Sequence, residues 1–322
     1  MIHPIPPGTR DVLPDEMREL RLLSERLRAA FERAGYGEVR TPMMEYEDVL
    51  RRGDDRVAGA GFRVFDERGR VLLLRSDMTI PIARLVSARY PDAPTPVRLC
   101  YFSHACRVVE RGSGHPMELL QAGVELIGQG GPEQDVEVVA LTSSALAEAG
   151  LRRHKIGLGD GSLYRTLLAS LEVAEDRWAP LLERLSRRDL VGLAREVDGL
   201  GLPPGARRLL VNVPTLRGGP DVLAQAEPPL STALENLRAC HDLLAQRGIE
   251  ERVIFDLGLV RELGYYTGTV FEVYDPAVGF ALGGGGRYDD LLGRFGRSLP
   301  ACGIALDMHR VHAAQAEEER AG

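Results

Sequence analysis

The chain has 322 residues, 44% of them hydrophobic and 27% charged, with a formal net charge of −7. This is the balance of a soluble protein long enough for a substantial core. It supplies no general electrostatic reason to hold a polyanion, whose binding rests on Lys and Arg neutralising phosphates. The opening MIHPIPPGTRDVLPDE lacks the basic-then-apolar profile of a signal peptide, and no apolar run approaches the ~18 residues a bilayer crossing needs, so a cytoplasmic location without a membrane partner is expected. Cys100, Cys106, Cys240 and Cys302 form no CxxC pair and read as reduced structural thiols. His309 and His312 share a helical face but have no nearby Cys or carboxylate cluster, so neither a metal nor a cofactor is expected.

After Pro14, apolar Met17, Leu20, Leu23, Leu27, Ala30 and Phe31 recur at three-to-four spacing and predict a helix of about 20 residues closed by Gly35. Residues 36–44 read as extended, and 63–74 as a hairpin turning at 66–69. Arg75, Asp77 and Thr79 alternate, so all three share a face if the chain stays extended there. Pro81 then opens a helix to about Tyr90. Residues 97–109 supply one or two strands before the chain returns as MELLQAGVELIG. Parity in that return puts Glu118, Leu120, Ala122, Val124 and Leu126 on one largely apolar face, and Gln121, Gly123 and Glu125 on the other. Polar groups flanking a glycine on an otherwise buried strand point to a pocket wall; a solvent-facing strand surface is the alternative.

A helix over 132–149, a strand at 155–158 and a helix capped by Asp160 follow. Residues 174–248 shift to Leu- and Arg-rich helical segments without strand alternation, which reads as a helical insertion. Val253 to Asp256 restarts the β pattern. Residues 265–274 are dense in aromatic and β-branched side chains, broken by Gly268, where a ligand or another backbone can approach. Residues 279–282 read as the returning strand, with four glycines before Arg287. Runs of strands joined mostly by turns argue an α+β fold: a mixed, mostly antiparallel sheet flanked by helices, with 1–173 and 249–322 as one domain interrupted by 174–248.

Several separated motifs converge on one family. PPGTRDVLP is similar to the opening signature of histidyl-tRNA synthetases, which are class II aminoacyl-tRNA synthetases, and the stretch around Cys106-Arg107, continuing through Leu119 to Gly128, resembles their motif 2. LVRELGYYTGTVFE resembles their histidine-specific signature, and GGGGRYDDLL followed by CGIALDMHR resembles the approach to and body of motif 3. The match runs along nearly the whole chain in order. It implies a class II synthetase-like catalytic core, with Asp77, Thr79 and Gln121 around the α-ammonium of histidine, Glu125 and Tyr266 toward its imidazole, Tyr265 in the same histidine pocket, and Arg261 at the histidine carboxylate or a phosphate. The same resemblance places Arg107 and Arg310 on ATP phosphates. A carboxylate and neutral acceptors suit an ammonium, and the planar fork of arginine suits either anion.

The departures are equally informative. Val109 stands where the family has a hydrogen-bonding Glu, Asp77 where the longer Glu is usual, and Gly264 where an Asp precedes the two tyrosines. A Gly112-to-Met117 loop replaces the basic, glutamine-containing loop that touches the ATP base and the tRNA acceptor end. Past motif 3 only a charged tail from Ala313 to Gly322 remains, so neither a C-terminal anticodon-binding domain nor a tRNA partner is expected. The whole pattern resembles that of ATP phosphoribosyltransferase regulatory subunits, synthetase-like proteins that join a short-form catalytic subunit in the first step of histidine biosynthesis. That resemblance implies no catalytic residues, a homodimer core inside a hetero-oligomer such as a hetero-octamer, and histidine as feedback effector. The alternative is a stand-alone enzyme that forms histidyl-adenylate, an option kept open by Arg107, Arg261 and Arg310.

Overall fold

A computed structural model describes residues 5–109, 116–225, 230–260 and 264–321. The first half runs α1 (Pro14–Arg33), β1 (Gly37–Glu38), β2 (Met44–Tyr46), α2 (Glu47–Gly53), α3 (Asp55–Gly59), β3 (Arg63–Phe65), β4 (Val71–Leu74), α4 (Thr79–Arg89), β5 (Val97–Cys106), β6 (Glu118–Ile127), α5 (Pro132–Glu148), β7 (Lys155–Asp160) and α6 (Leu163–Ser170). The second half runs α7 (Trp178–Ser186), α8 (Leu190–Asp198), α9 (Pro204–Asn212), β8 (Arg217–Gly218), α10 (Val222–Gln225), α11 (Ser231–Gln246), β9 (Val253–Asp256), β10 (Thr269–Tyr274), β11 (Ala281–Arg287), β12 (Ala301–Asp307) and α12 (Met308–Ala321). Among the described residues no helix is long and apolar enough to cross a membrane.

Nine strands form one sheet in the order β1-β5-β6-β12-β11-β10-β7-β9-β8, and β2-β4-β3 form a second. Only β1–β5 and β7–β9 pair in parallel, so the sheet is mixed and mostly antiparallel, as expected. One face is covered by α1, α5, α11 and α12. Leu27 and Phe31, Val138 and Leu146, Leu237 and Leu244, and Val311 from these helices pack on Val124, Leu126, Phe271 and Leu306 in a continuous apolar cluster. Leu181, Leu193 and Leu210 of the segment over 174–248 belong to the same cluster, so those helices share the core of the sheet. On the other face Leu50, Val57, Met78 and Val86 pack against Leu99, Tyr101, Tyr265 and Tyr288. Burial of a side chain of this size is worth about 1.5–3 kcal/mol, so each cluster fixes its own face of the sheet.

Three local readings change. The returning strand is Ala281–Arg287 and carries the four glycines, because β10 and β12 pair with it from both sides and override the low strand preference of glycine. A Cβ on Gly285 would lie 1.9 Å from the Gly303 carbonyl oxygen, and one on Gly283 2.3 Å from that of Ala305, so close strand approach requires these glycines. Helix α4 begins at Thr79, ending the alternation after Asp77. The Arg75 guanidinium instead donates to the carbonyls of Thr41, Pro42 and His104, tying chain segments together away from the ligand-facing side. Finally, residues 217–218 form a two-residue edge strand on β9, too short to show as periodicity.

Gly285→Ala is expected to destabilise the protein by about 3 kcal/mol, since the added methyl meets backbone on the neighbouring strand. Urea denaturation checks this, and a loss below about 0.5 kcal/mol, the scatter of neutral surface changes, would contradict it.

Candidate functional site

The sheet register builds the floor of a cleft. Tyr101 pairs with Gly123, Gly123 with Ala305, Ala305 with Gly284, Gly284 with Glu272, and Glu272 with Gly157. Paired residues point to the same face of a sheet, so three adjacent strands present almost no side chain along this row. The resulting hollow has a volume of ≈ 170 Å³. Asp77, Thr79, Gln121, Tyr265, Tyr266, Arg107 and Arg310 all line it. Glu125 lies beneath, bonded to two lining residues, whereas Arg261 falls outside the described residues.

Glu125 is 1% exposed and held from two sides: the Thr79 hydroxyl donates to Oε1 at 2.9 Å, and the Tyr288 hydroxyl donates to Oε2. Its room comes from the facing strand. Glu125 pairs with Gly303, and a Cβ there would sit 1.7 Å from Oε2. Burial pushes the Glu125 carboxyl up to about 8, with the charge of Asp77 adding to the effect and the two hydroxyl donors opposing it. Asp77 is raised by burial too, against the Ile80 N–H, the Tyr265 hydroxyl and Arg107. Its Oδ1 accepts from the Ile80 N–H at 2.8 Å and its Oδ2 from the Tyr265 hydroxyl at 3.0 Å. Burial also holds the Tyr101, Tyr265 and Tyr288 hydroxyls well above the usual phenol range, which keeps them as donors at neutral pH.

Two buried polar atoms at the cleft have no partner among the described residues: the Gln121 side-chain oxygen and the Tyr101 hydroxyl. An unpaired buried acceptor costs about 1–3 kcal/mol, and a donor on a bound molecule relieves that cost at Gln121. The strand-parity reading of a pocket wall therefore holds, and the solvent-facing alternative does not: Gln121 is 7% exposed. At the opposite side, Arg107 Nε donates to the Ser76 carbonyl at 2.8 Å. Arg310, in the first turn of α12, donates to the Ala281 carbonyl at 2.8 Å, and its Nε lies 3.4 Å from Asp307 Oδ2. Asp307 also accepts from the His309 and Arg310 backbone N–H groups, capping the helix. Sequence reasoning missed Tyr288, Glu272 and Asp307. Tyr288, directly after the glycine strand and Arg287, carried the only usable signal. Among the described residues no group of three or more His, Cys, Asp or Glu side chains is placed to hold a metal ion.

The raised Glu125 carboxyl gives a pH signature. Its folded-state value lies above its unfolded one, so its stabilising effect is complete below about 4.5 and lost as pH rises through about 8. Relative to Glu125→Gln, the wild type should lose about 2–4 kcal/mol between pH 5 and pH 8 in urea unfolding. A pH-independent difference between the two proteins would contradict the assignment.

The chain and its fold have counterparts among known proteins. The family described as Histidyl-tRNA synthetase matches residues 8–311. An ATP phosphoribosyltransferase regulatory subunit of Moorella thermoacetica is 39% identical over 97% of this chain and 82% of its own length. One of Symbiobacterium thermophilum is 41% identical over 98% and 80%. A crystal structure from Bacillus halodurans, described as an ATP phosphoribosyltransferase regulatory subunit/histidyl-tRNA synthetase, superposes with a TM-score of 0.90 at 34% identity, over 98% of this chain and 84% of that one. The histidyl-tRNA synthetase of a Nostoc species shares the fold, with a TM-score of 0.81 at 20% identity over 99% of this chain and 76% of that one. With a class II synthetase-like sheet and this degree of likeness along its length, the chain belongs to the ATP phosphoribosyltransferase regulatory subunit family, on the histidyl-tRNA synthetase fold.

Proposed function

We propose that the chain is the non-catalytic regulatory subunit of an ATP phosphoribosyltransferase, that it partners a short-form catalytic subunit at the first step of histidine biosynthesis, and that histidine bound in the cleft exerts feedback inhibition. The carrying observation is the cleft itself: a chain this similar to regulatory subunits retains a buried set of acceptors and donors sized for one small zwitterion. In this reading Asp77, Thr79 and Gln121 take the three N–H groups of the ammonium, and Glu125 and Tyr266 meet the imidazole. Tyr265 orients Asp77 through its hydroxyl. Arg107 or Arg261 takes the carboxylate.

The positive end of the cleft supports binding over adenylation. Asp307 is already beside Arg310, and a phosphate there must compete with that carboxylate. Catalysis of adenylate formation depends on electrostatic groups held ready for developing phosphoryl charge, and an engaged arginine is not so held. The second reading, a stand-alone histidine-activating enzyme, rests on Arg107 and Arg310 lining one cleft. Histidine-dependent ATP–pyrophosphate exchange by the purified chain would establish it and sink the non-catalytic reading.

Histidine can regulate the partner only by binding one assembly state better than another. Self-association into a homodimer core is supported by the exposed Met44 and Tyr46, which share one face of the three-stranded sheet. Mixed with a short catalytic subunit that is inactive alone, the chain should restore phosphoribosyl transfer, and histidine should suppress it. Gln121→Ala should keep the activation while weakening histidine by about tenfold, the size of one lost hydrogen bond in a buried site. Assay of phosphoribosyl-ATP formation against histidine concentration checks both. Undiminished histidine sensitivity in the variant would remove the cleft as the effector site, and failure to activate any short catalytic subunit would remove the regulatory role.

A further inference from the structure

Strand β12 empties the cleft floor and then refills it at one point. Gly303, Ala305 and Asp307 alternate along it and face the cleft, so a glycine and an alanine are followed by a carboxylate. Both oxygens of that carboxylate are engaged. Oδ1 accepts from the His309 N–H at 3.0 Å and the Arg310 N–H at 3.2 Å, and Oδ2 lies 3.4 Å from Arg310 Nε. The Arg310 guanidinium is held from two further directions: Nη1 donates to the Ala281 carbonyl at 2.8 Å, and Cζ lies 5.4 Å from the centroid of the Phe280 ring. A phosphate reaching Arg310 therefore meets the Asp307 charge at the same place. Across the sheet Asp307 pairs with Gln121. Side chains of such a pair start about 5 Å apart on one face, so the same charge borders Gln121, whose side-chain oxygen has no partner among the described residues.

One carboxylate placed between an amide oxygen and an arginine sorts ligands by sign. It attracts an ammonium toward Gln121 and repels an anion from Arg310, each by Coulomb interaction over a few ångströms. Capping of α12 does not need that charge, because Asn caps a helix as well as Asp does. We propose that Asp307 sets the charge selectivity of the cleft, drawing the ammonium end of an amino acid to Gln121 and excluding phosphoryl groups, such as those of a nucleoside triphosphate, from Arg310. Selection of this kind deepens the proposed reading of the cleft as a histidine site without adenylation, and rests on it. It makes Asp307 a specificity residue as well as a helix cap. It also leaves a histidine site beside an ATP-using partner free of triphosphate.

The test is calorimetric titration of the full chain as wild type, Asp307→Asn and Asp307→Asn/Arg310→Ala, each with histidine and, separately, with inorganic pyrophosphate. Thermal unfolding verifies that the variants fold; where Asp307→Asn does not, Asp307→Ser, with another capping residue, takes its place. Asp307→Asn is expected to bind pyrophosphate at least about tenfold more tightly than wild type and histidine about fivefold more weakly, the size of one unit charge a few ångströms away in a solvent-accessible site. Added salt should weaken the pyrophosphate binding, and Arg310→Ala in the same chain should abolish the gain. A merely structural role for Asp307 moves both ligands in the same direction, and that result overturns the proposal. So does equal binding of pyrophosphate by wild type and Asp307→Asn, a histidine affinity unmoved by the variant, or a gain that survives Arg310→Ala. Wild type that binds no histidine, with pyrophosphate still tightened in Asp307→Asn, removes the histidine reading of the cleft and upholds the exclusion of phosphate.

Discussion

A carboxyl group can lie flat against the middle of a sheet only where the facing strand gives up its side chain, and the pairing of Glu125 with Gly303 is that arrangement. Much of the ligand-facing side follows from it. Thr79, at the start of α4, and Tyr288, after the glycine-rich strand, both aim hydroxyls at the same carboxyl, so two distant segments are tied to β6 by one buried acceptor. The neighbouring row, Gly123, Ala305 and Gly284, extends the absence of side chains and turns a flat sheet into a floor. Substituting either glycine row would fill the hollow before it altered any polar group.

Around that floor the electrostatics are divided. On one side are two buried carboxyl groups, Asp77 and Glu125, both raised first by burial and both served by hydroxyl donors. Such groups respond to an incoming cation or N–H donor, because a ligand restores the charged form that burial disfavours. On the other side Arg107 and Arg310 supply positive charge, the latter shared with Asp307. On the proposed reading a small zwitterion spans this polarity. On that reading, binding needs the carboxyl side intact, while adenylate chemistry also needs unencumbered arginines.

The amount of this visible in the sequence depended on the range of the interaction. Helix α1 and the 63–74 hairpin are local patterns, and they form where the periodicity and turn residues place them. The wall at Gln121 and Glu125 was legible because strand parity is also local, and the glycine run marked the floor even though its strand boundaries were misplaced. What could not be read depends on contacts between distant segments. Tyr288 meets Glu125 across 163 positions, and the role of Gly303 appears only once β12 is known to face β6. Arg75, alternating with two site residues, turned the other way because three backbone carbonyls elsewhere in the chain claimed its guanidinium.

The central claim is that a buried, neutral Glu125 carboxyl organises the cleft and is the group a ligand acts on. Carbon-13 NMR of glutamate-labelled protein, with Glu125→Gln to assign the resonance, measures it directly. The account predicts one carboxyl that titrates near 8 in the free protein and moves to lower pH when histidine is added. A Glu125 resonance titrating in the ordinary range of about 4 to 5, or one unmoved by saturating histidine, would contradict it.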